Sequence, residues 1–182
     1  MQDRVARNEA AFRSTLDARL SDVYAFFRRL RVDHATAQDL VQDTFLTAWQ
    51  DLPDLRDDRR LRGWLYRIAY RRYLRHRART ASAATVEIPA ALAAETRDEP
   101  GSDEHLARQA VNLALCQLPE AYLHPLVLLY WEGLSYPEAA RALSLPLGTF
   151  AWRVHKGMRL LKQAFADGGM GYETALQPPQ EP

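Results

Sequence analysis

Leu134–Phe165 reads LSYPEAARALSLPLGTFAWRVHKGMRLLKQAF, and its punctuation decides the fold. Ser135 is a candidate N-cap, with Glu138 three residues on to complete a capping box. Ala139, Ala140 and Leu143 give a short helix its apolar side, and Ser144-Leu145-Pro146 breaks it. A longer helix starts near Leu147. At helical spacing Phe150, Val154, Gly157, Met158, Leu161 and Phe165 fall on one arc, while Thr149, Trp152, His155, Lys156, Arg159 and Lys162 fall on the other, with Arg153 at its edge. Short helix, tight turn and long basic helix make a helix-turn-helix pattern. Two packed helices with a solvated basic face would give the same spacing. Two features favour DNA: Glu138 is the only acidic residue in the stretch, and Trp152 sits amid the basic arc rather than among the packing residues.

The rest of the chain agrees with an all-α fold. Its 182 residues are 47% apolar, rich in Ala, Leu and Arg, and carry a formal charge of +1. That length holds one medium domain or two small ones. The single cysteine, Cys116, excludes an internal disulfide or a zinc–cysteine site. No signal peptide or membrane span is recognisable, so a cytoplasmic protein without membrane insertion is expected. The five histidines, His34, His76, His105, His124 and His155, lack metal-ligand spacing and are expected at the surface or facing phosphate. With no glycine-rich phosphate loop and no nucleophile motif, the sequence predicts neither an enzyme nor a cofactor.

Upstream, Asn8–Leu30 is a candidate helix with Phe12, Leu16, Leu20, Tyr24 and Phe27 on one stripe, and Asp33 or Thr36 is expected to cap the next helix. That helix, about Ala35–Gln50, buries Ala37, Leu40, Val41, Thr44, Phe45, Ala48 and Trp49 on one arc. Its opposite arc holds Asp39, Gln42, Asp43 and Gln50 around Leu46, which fits either a solvated face or a protein-docking surface. After the Asp-rich loop Asp51–Asp58, Arg59–Arg79 carries nine arginines and no acid, interleaved with Trp64, Tyr66, Tyr70 and Tyr73. Leu61, Trp64, Leu65, Ile68 and Ala69 pack. The tyrosines either complete the core or stack on unpaired bases, with the arginines on phosphates. Uncompensated self-repulsion along such a helix argues for nucleic acid.

Thr80–Glu104 has six acidic residues against Arg97 alone and reads as a flexible linker. Beyond it come His105–Leu118 and Pro119–Glu132. Pro125 predicts a kink, or a helix that effectively starts near His124, and the run Leu126–Trp131 is buried or faces a partner. The tail Gly168–Pro182 has no packing period and is expected to be disordered.

Asp39–Ala69 (DLVQDTFLTAWQDLPDLRDDRRLRGWLYRIA), followed by Leu115–Phe150 (LCQLPEAYLHPLVLLYWEGLSYPEAARALSLPLGTF), resembles the extracytoplasmic-function (ECF) sigma factors of bacterial RNA polymerase. The resemblance implies a region 2-like domain at 8–79, a linker at 80–104, a region 4-like domain at 105–166 and a tail at 167–182. It implies core polymerase docking through Asp39, Gln42, Asp43, Leu46 and Gln50. It implies that Arg59, Arg60, Arg62, Trp64, Tyr66, Arg67, Tyr70, Arg71, Tyr73 and Arg75 melt and hold the minus-10 element. Thr149, Trp152, Arg153, His155, Lys156 and Arg159 then meet the minus-35 duplex. The linker would thread toward the RNA exit path. Core polymerase and promoter DNA are the implied partners, with an anti-sigma factor as a further one. Phe150-Ala151-Trp152 stands where the family usually continues with Val, a basic residue and Ser, and Ser144 replaces the usual turn glycine. A stand-alone helix-turn-helix regulator, or an adaptor whose second domain binds protein, are the competing expectations.

Overall fold

The computed structural model describes residues 19–52, 57, 60–80, 114–115 and 117–167. The expectations for Phe12, Leu16, Arg59, His105, Cys116, the linker beyond Thr80 and the tail from Gly168 lie outside these residues. Among the described residues every regular element is a helix. The described part of α1 covers residues 19–29. Then follow α2 (His34–Asp51), α3 (Leu61–Thr80), α4 (Glu120–Leu126, running on as a π-helical turn over Val127–Trp131), α5 (Tyr136–Ala142) and α6 (Leu147–Asp167).

Asp33 is the N-cap of α2, its Oδ1 accepting from the Thr36 backbone N–H at 3.0 Å. That hydrogen bonding holds the Asp33 carboxyl below the usual aspartate range. Ala37, Leu40, Val41, Thr44, Phe45 and Ala48 are buried as the periodicity required. Trp49, at the edge of the arc, is not: it is 44% exposed. Arg72 on α3 ties the two helices by donating to Thr47 Oγ1.

In the second half α4 packs on α6, and α5 on α6. A Cβ at Gly157 would lie 3.1 Å from Leu126 Cδ1 and 3.3 Å from the Tyr122 carbonyl oxygen, so glycine there sets how closely α6 approaches α4. Glu138 closes the N-terminus of α5, its Oε2 accepting from Ser135 N at 3.0 Å and Ser135 Oγ at 2.6 Å. The turn into α6 is a Schellman motif, with Ser144 N donating to Arg141 O and Leu145 N to Ala140 O. Ser144 stands at φ +55°, the left-handed position that glycine fills without strain. Phe150, Val154, Gly157, Leu161 and Phe165 of α6 are buried and Met158 half-buried, as the sequence arc predicts.

Pro125 does not start a helix near His124. The helix begins at Glu120 and carries the proline inside it. Pro125 has no N–H to donate to Ala121, and the chain beyond it widens, Glu132 N donating to Val127 O five residues back at 3.1 Å.

The two halves do not stand apart. The helix α3 packs on α5 across their boundary, and one buried apolar cluster runs through both. At Gly63 an added Cβ would sit 3.3 Å from Glu138 Cβ, so any side chain there would press α3 and α5 apart by a few tenths of an ångström unless Glu138 gives way.

Candidate polymerase and nucleic-acid surfaces

Three surfaces emerge from the sequence, and the structure treats them differently. On α2, Asp39, Gln42, Asp43, Leu46 and Gln50 are all exposed on the face opposite the buried arc, with Leu46 at 60%. Trp49 extends the apolar part of that face, which the strict periodicity had placed in the core. A large exposed aliphatic group and an indole among acids and amides suit a protein interface.

On α6 the arc opposite the core is open. Thr149, Trp152, His155 and Arg159 are exposed, and Arg153 and Lys156 are half-buried. Trp152 is 58% exposed and meets the Tyr122 ring edge-on at 6.0 Å, so the indole is braced at the surface rather than folded into the core. Leu147, at the start of the helix, is 51% exposed.

The face of α3 is divided. Arg60, Arg67, Arg71 and Arg75 are exposed, while Arg62 and Trp64 are half-buried. The tyrosines are covered, against the expectation that they lie open to unpaired bases: Tyr66 is 0% and Tyr73 2% exposed, and Tyr70 is half-buried. The Tyr66 ring packs edge-on against Phe26 at 5.2 Å, and its hydroxyl donates to Glu132 Oε2. Arg29 donates to the other oxygen, Oε1, at 3.1 Å. Arg77 on α3 donates to Tyr73 Oη at 3.2 Å and to Glu120 Oε2. Burial first, then the negative Glu132 beside it, pushes the Tyr66 hydroxyl far above its ordinary range. Burial drives the Glu132 carboxyl upward against the lowering pull of Tyr66 and Arg29. Burial likewise pushes Tyr70 up to about 12.

His124 corrects a second expectation. It is 5% exposed rather than at the surface, because α4 presses it onto α3 between Tyr70 and Tyr73. Nδ1 forms a 3.1 Å hydrogen bond with the Tyr70 hydroxyl, and Nε2 is buried without a hydrogen-bond partner among the described residues. Burial, then the cationic Arg77, Arg31 and Arg153, brings the imidazole down to about 3. Arg31 is itself held at φ +64°, where its side chain reaches the Leu115 carbonyl oxygen at 3.0 Å and that of Leu118. The sequence carried one hint of this boundary, the arginine excess of α3, but the acids that answer it lie far downstream. Among the described residues no cluster of His, Cys, Asp and Glu could hold a metal, and no helix is long and apolar enough to cross a membrane.

Residues 16–83 match Sigma-70 region 2, and residues 108–161 match Sigma-70, region 4. The chain is 30% identical over 134 residues to RNA polymerase sigma factor YlaC of Bacillus subtilis, a match covering 70% of this chain and 76% of that protein. It is 32% identical over 149 residues to ECF RNA polymerase sigma factor SigE of Mycolicibacterium smegmatis, covering 79% of this chain and 57% of that relative's length. The fold is similar to that of the sigma factor RpoE of Bartonella quintana, solved in complex with the anti-sigma factor NepR. There the TM-score is 0.68 at 25% identity, over 85% of this chain and 96% of that one.

Proposed function

The chain belongs to the ECF sigma factors of the sigma-70 family, and we propose that it is an alternative sigma factor that carries core RNA polymerase to a subset of promoters. In this reading α2 docks on core polymerase through Asp39, Gln42, Asp43, Leu46 and Gln50, with Trp49 added to that set. The division of α2 carries the proposal: one face is buried against its own domain while the other leaves Leu46 exposed among acids and amides.

The arginines of α3 hold the displaced strand of the minus-10 element by its phosphates. Arg67, Arg71 and Arg75 are already exposed for that role. Of the tyrosines, half-buried Tyr70 needs the least rearrangement to meet a base. The helix α6 enters the major groove of the minus-35 duplex with Thr149, Trp152 and Arg153 leading, and His155, Lys156 and Arg159 follow along the backbone. The division into 8–79, 80–104, 105–166 and 167–182 is supported by the spans of the two family matches.

The chain works in the cytoplasm, adds no chemistry of its own, needs no cofactor and leaves RNA synthesis to the polymerase. The NepR complex of the Bartonella protein supports an anti-sigma factor as a further partner class. Co-purification with core polymerase and run-off transcription from the promoters mapped after overexpression test the proposal. A chain that neither binds core nor supports any transcript would end it.

A further inference from the structure

The leading end of α6 is uncharged. From Leu147 to Trp152 it reads Leu-Gly-Thr-Phe-Ala-Trp, its first basic residue is Arg153, and its first acid is Asp167. Phe150 is buried and Ala151 half-buried, so this end offers Leu147, Gly148, Thr149 and Trp152 to the outside. The N-terminal part of such a helix is the part that meets base edges. Guanine is commonly read there by arginine or lysine, and adenine by asparagine or glutamine. Leu147–Trp152 contains none of these residue types. What it presents is apolar surface with one hydroxyl, and the apolar group on a base edge in the major groove is the thymine methyl.

Trp152 supplies much of that surface, at 58% exposure. A helical side chain covers the turn N-terminal to its own Cα, here the turn of Gly148 and Thr149. Gly148 is exposed, and nothing lies within 4 Å of the position its Cβ would take. The helix surface one turn ahead of Trp152 is therefore open to a base pair.

Tyr122 of α4 braces the indole from the other side. The two rings meet edge-on, with centroids 6.0 Å apart and planes at 61°, a favourable aromatic arrangement. Tyr122 is itself seated on α6 at Gly157, where an added Cβ would lie 3.3 Å from both its Cβ and its carbonyl oxygen. Gly157 stands five residues past Trp152, about 7.5 Å along the axis, so the Tyr122 ring reaches back along α6 to the indole. A large ring held in place beforehand has less freedom to lose when a ligand arrives.

We propose that Trp152 sets base specificity in the minus-35 duplex by packing on a thymine methyl, and that Tyr122 is its positioning residue. The proposal rests on the reading of α6 as the minus-35 helix. It goes beyond that reading by naming the base chemistry and by bringing in a residue of α4. The cationic groups that follow, Arg153, Lys156 and Arg159, with no acid before Asp167, favour a duplex over a protein as the occupant of this end.

The test uses the full-length chain bound to core polymerase, on a promoter mapped for it. Each thymine of the minus-35 duplex is replaced singly by deoxyuridine, which pairs alike and lacks only the methyl. One position should lose affinity by about fourfold, the worth of one buried carbon. Trp152→Ser, at an exposed site, should keep native helicity and core binding and should bind the thymine and uracil duplexes equally. Tyr122→Ala should shrink the thymine-to-uracil ratio, and Tyr122→Phe, which keeps the ring edge, should restore it. If Tyr122→Ala weakens both duplexes alike and leaves the ratio intact, Tyr122 is structural and its positioning role is overturned. If native complex binds the minus-35 duplex but no thymine responds, or if the ratio survives in Trp152→Ser, the proposal is overturned and the reading of α6 stands. Binding indifferent to replacement of the whole minus-35 segment removes both.

Discussion

Tyr70 and His124 meet across the boundary between the two halves of the chain, ring centroids 5.5 Å apart and planes at 74°. Their hydroxyl and Nδ1 are 3.1 Å apart. The imidazole is held neutral there, down at about 3 against an ordinary 6.5, and the groups facing it from the neighbouring elements are cationic: Arg31, Arg77 and Arg153. Arg77 is in turn paired with Glu120.

The pH dependence of closure of the two halves on each other follows from that pair. A lowered imidazole means that the open form binds the proton better. The contribution of His124 to the closed form is therefore full above 6.5 and is lost as pH falls toward 3, by about tenfold per pH unit. Glu132 acts in the opposite sense. Its carboxyl is raised above 4.5 by burial, so closing takes up a proton there, and acid favours closure through it. Below 6.5 the two groups oppose each other, and comparison with a chain lacking the imidazole isolates the share of His124. Scattering from about pH 7.5 down to about 5.5 should show the native chain expanding relative to His124→Phe, which keeps a ring between Tyr70 and Tyr73 but does not titrate. An expansion that persists in the Phe variant would show that His124 is not its source.

Gly63 offers a steric route to the same opening. Leucine at this position belongs in a helix better than glycine, by about 0.7 kcal/mol or more, so α3 itself should lose nothing. Its Cβ would stand 3.3 Å from that of Glu138, and the rest of the side chain adds bulk beside that carboxylate. Gly63→Leu should expand the chain while leaving its helical circular dichroism intact. An unexpanded variant would mean that Glu138 can swing aside.

Ser144 is expected to respond to glycine. At φ +55° it bears the left-handed penalty inside a complete Schellman motif, so Ser144→Gly should stabilise the helix-turn-helix by about 1 kcal/mol, read from denaturant midpoints. No gain would indicate that the serine side chain compensates locally.

Leu46→Asp should reduce core polymerase binding by about tenfold or more with little change in thermal midpoint, since Leu46 is 60% exposed. A sharp fall in midpoint with intact core binding would return Leu46 to the packing face.

On α6, Arg153→Ala or Lys156→Ala should weaken minus-35 duplex binding by the polymerase complex. Its salt slope should fall by about one unit for each phosphate that is no longer neutralised. A variant with unchanged slope is not a phosphate ligand.

Much of this architecture was legible in residue order. The α2 arc, the Asp33 cap, the Ser135–Glu138 box and the packing side of α6 are local features, written within one or two helical turns of themselves. Trp49 shows the limit of such spacing, since an arc edge is buried only if a neighbour reaches it. Tyr66 and Tyr73 were ambiguous because an aromatic ring beside arginines satisfies the requirements of a core and of a stacking platform equally well. What settled their placement, Glu120, His124 and Glu132, lies more than forty residues downstream. Glu132 also depends on a register change behind Pro125 that no periodic pattern records.

That separation in sequence has a consequence for how the chain comes into being. Glu132 pairs with Arg29 across 103 residues and with Tyr66 across 66. On the ribosome, α1 to α3 are complete before the residues that cover them have been made. At about 5–20 residues per second, α3 emerges uncovered for several seconds. For that interval the arginines and tyrosines of α3 lack the groups that later cover them, and the packing of the two halves becomes a late event of synthesis rather than an early one.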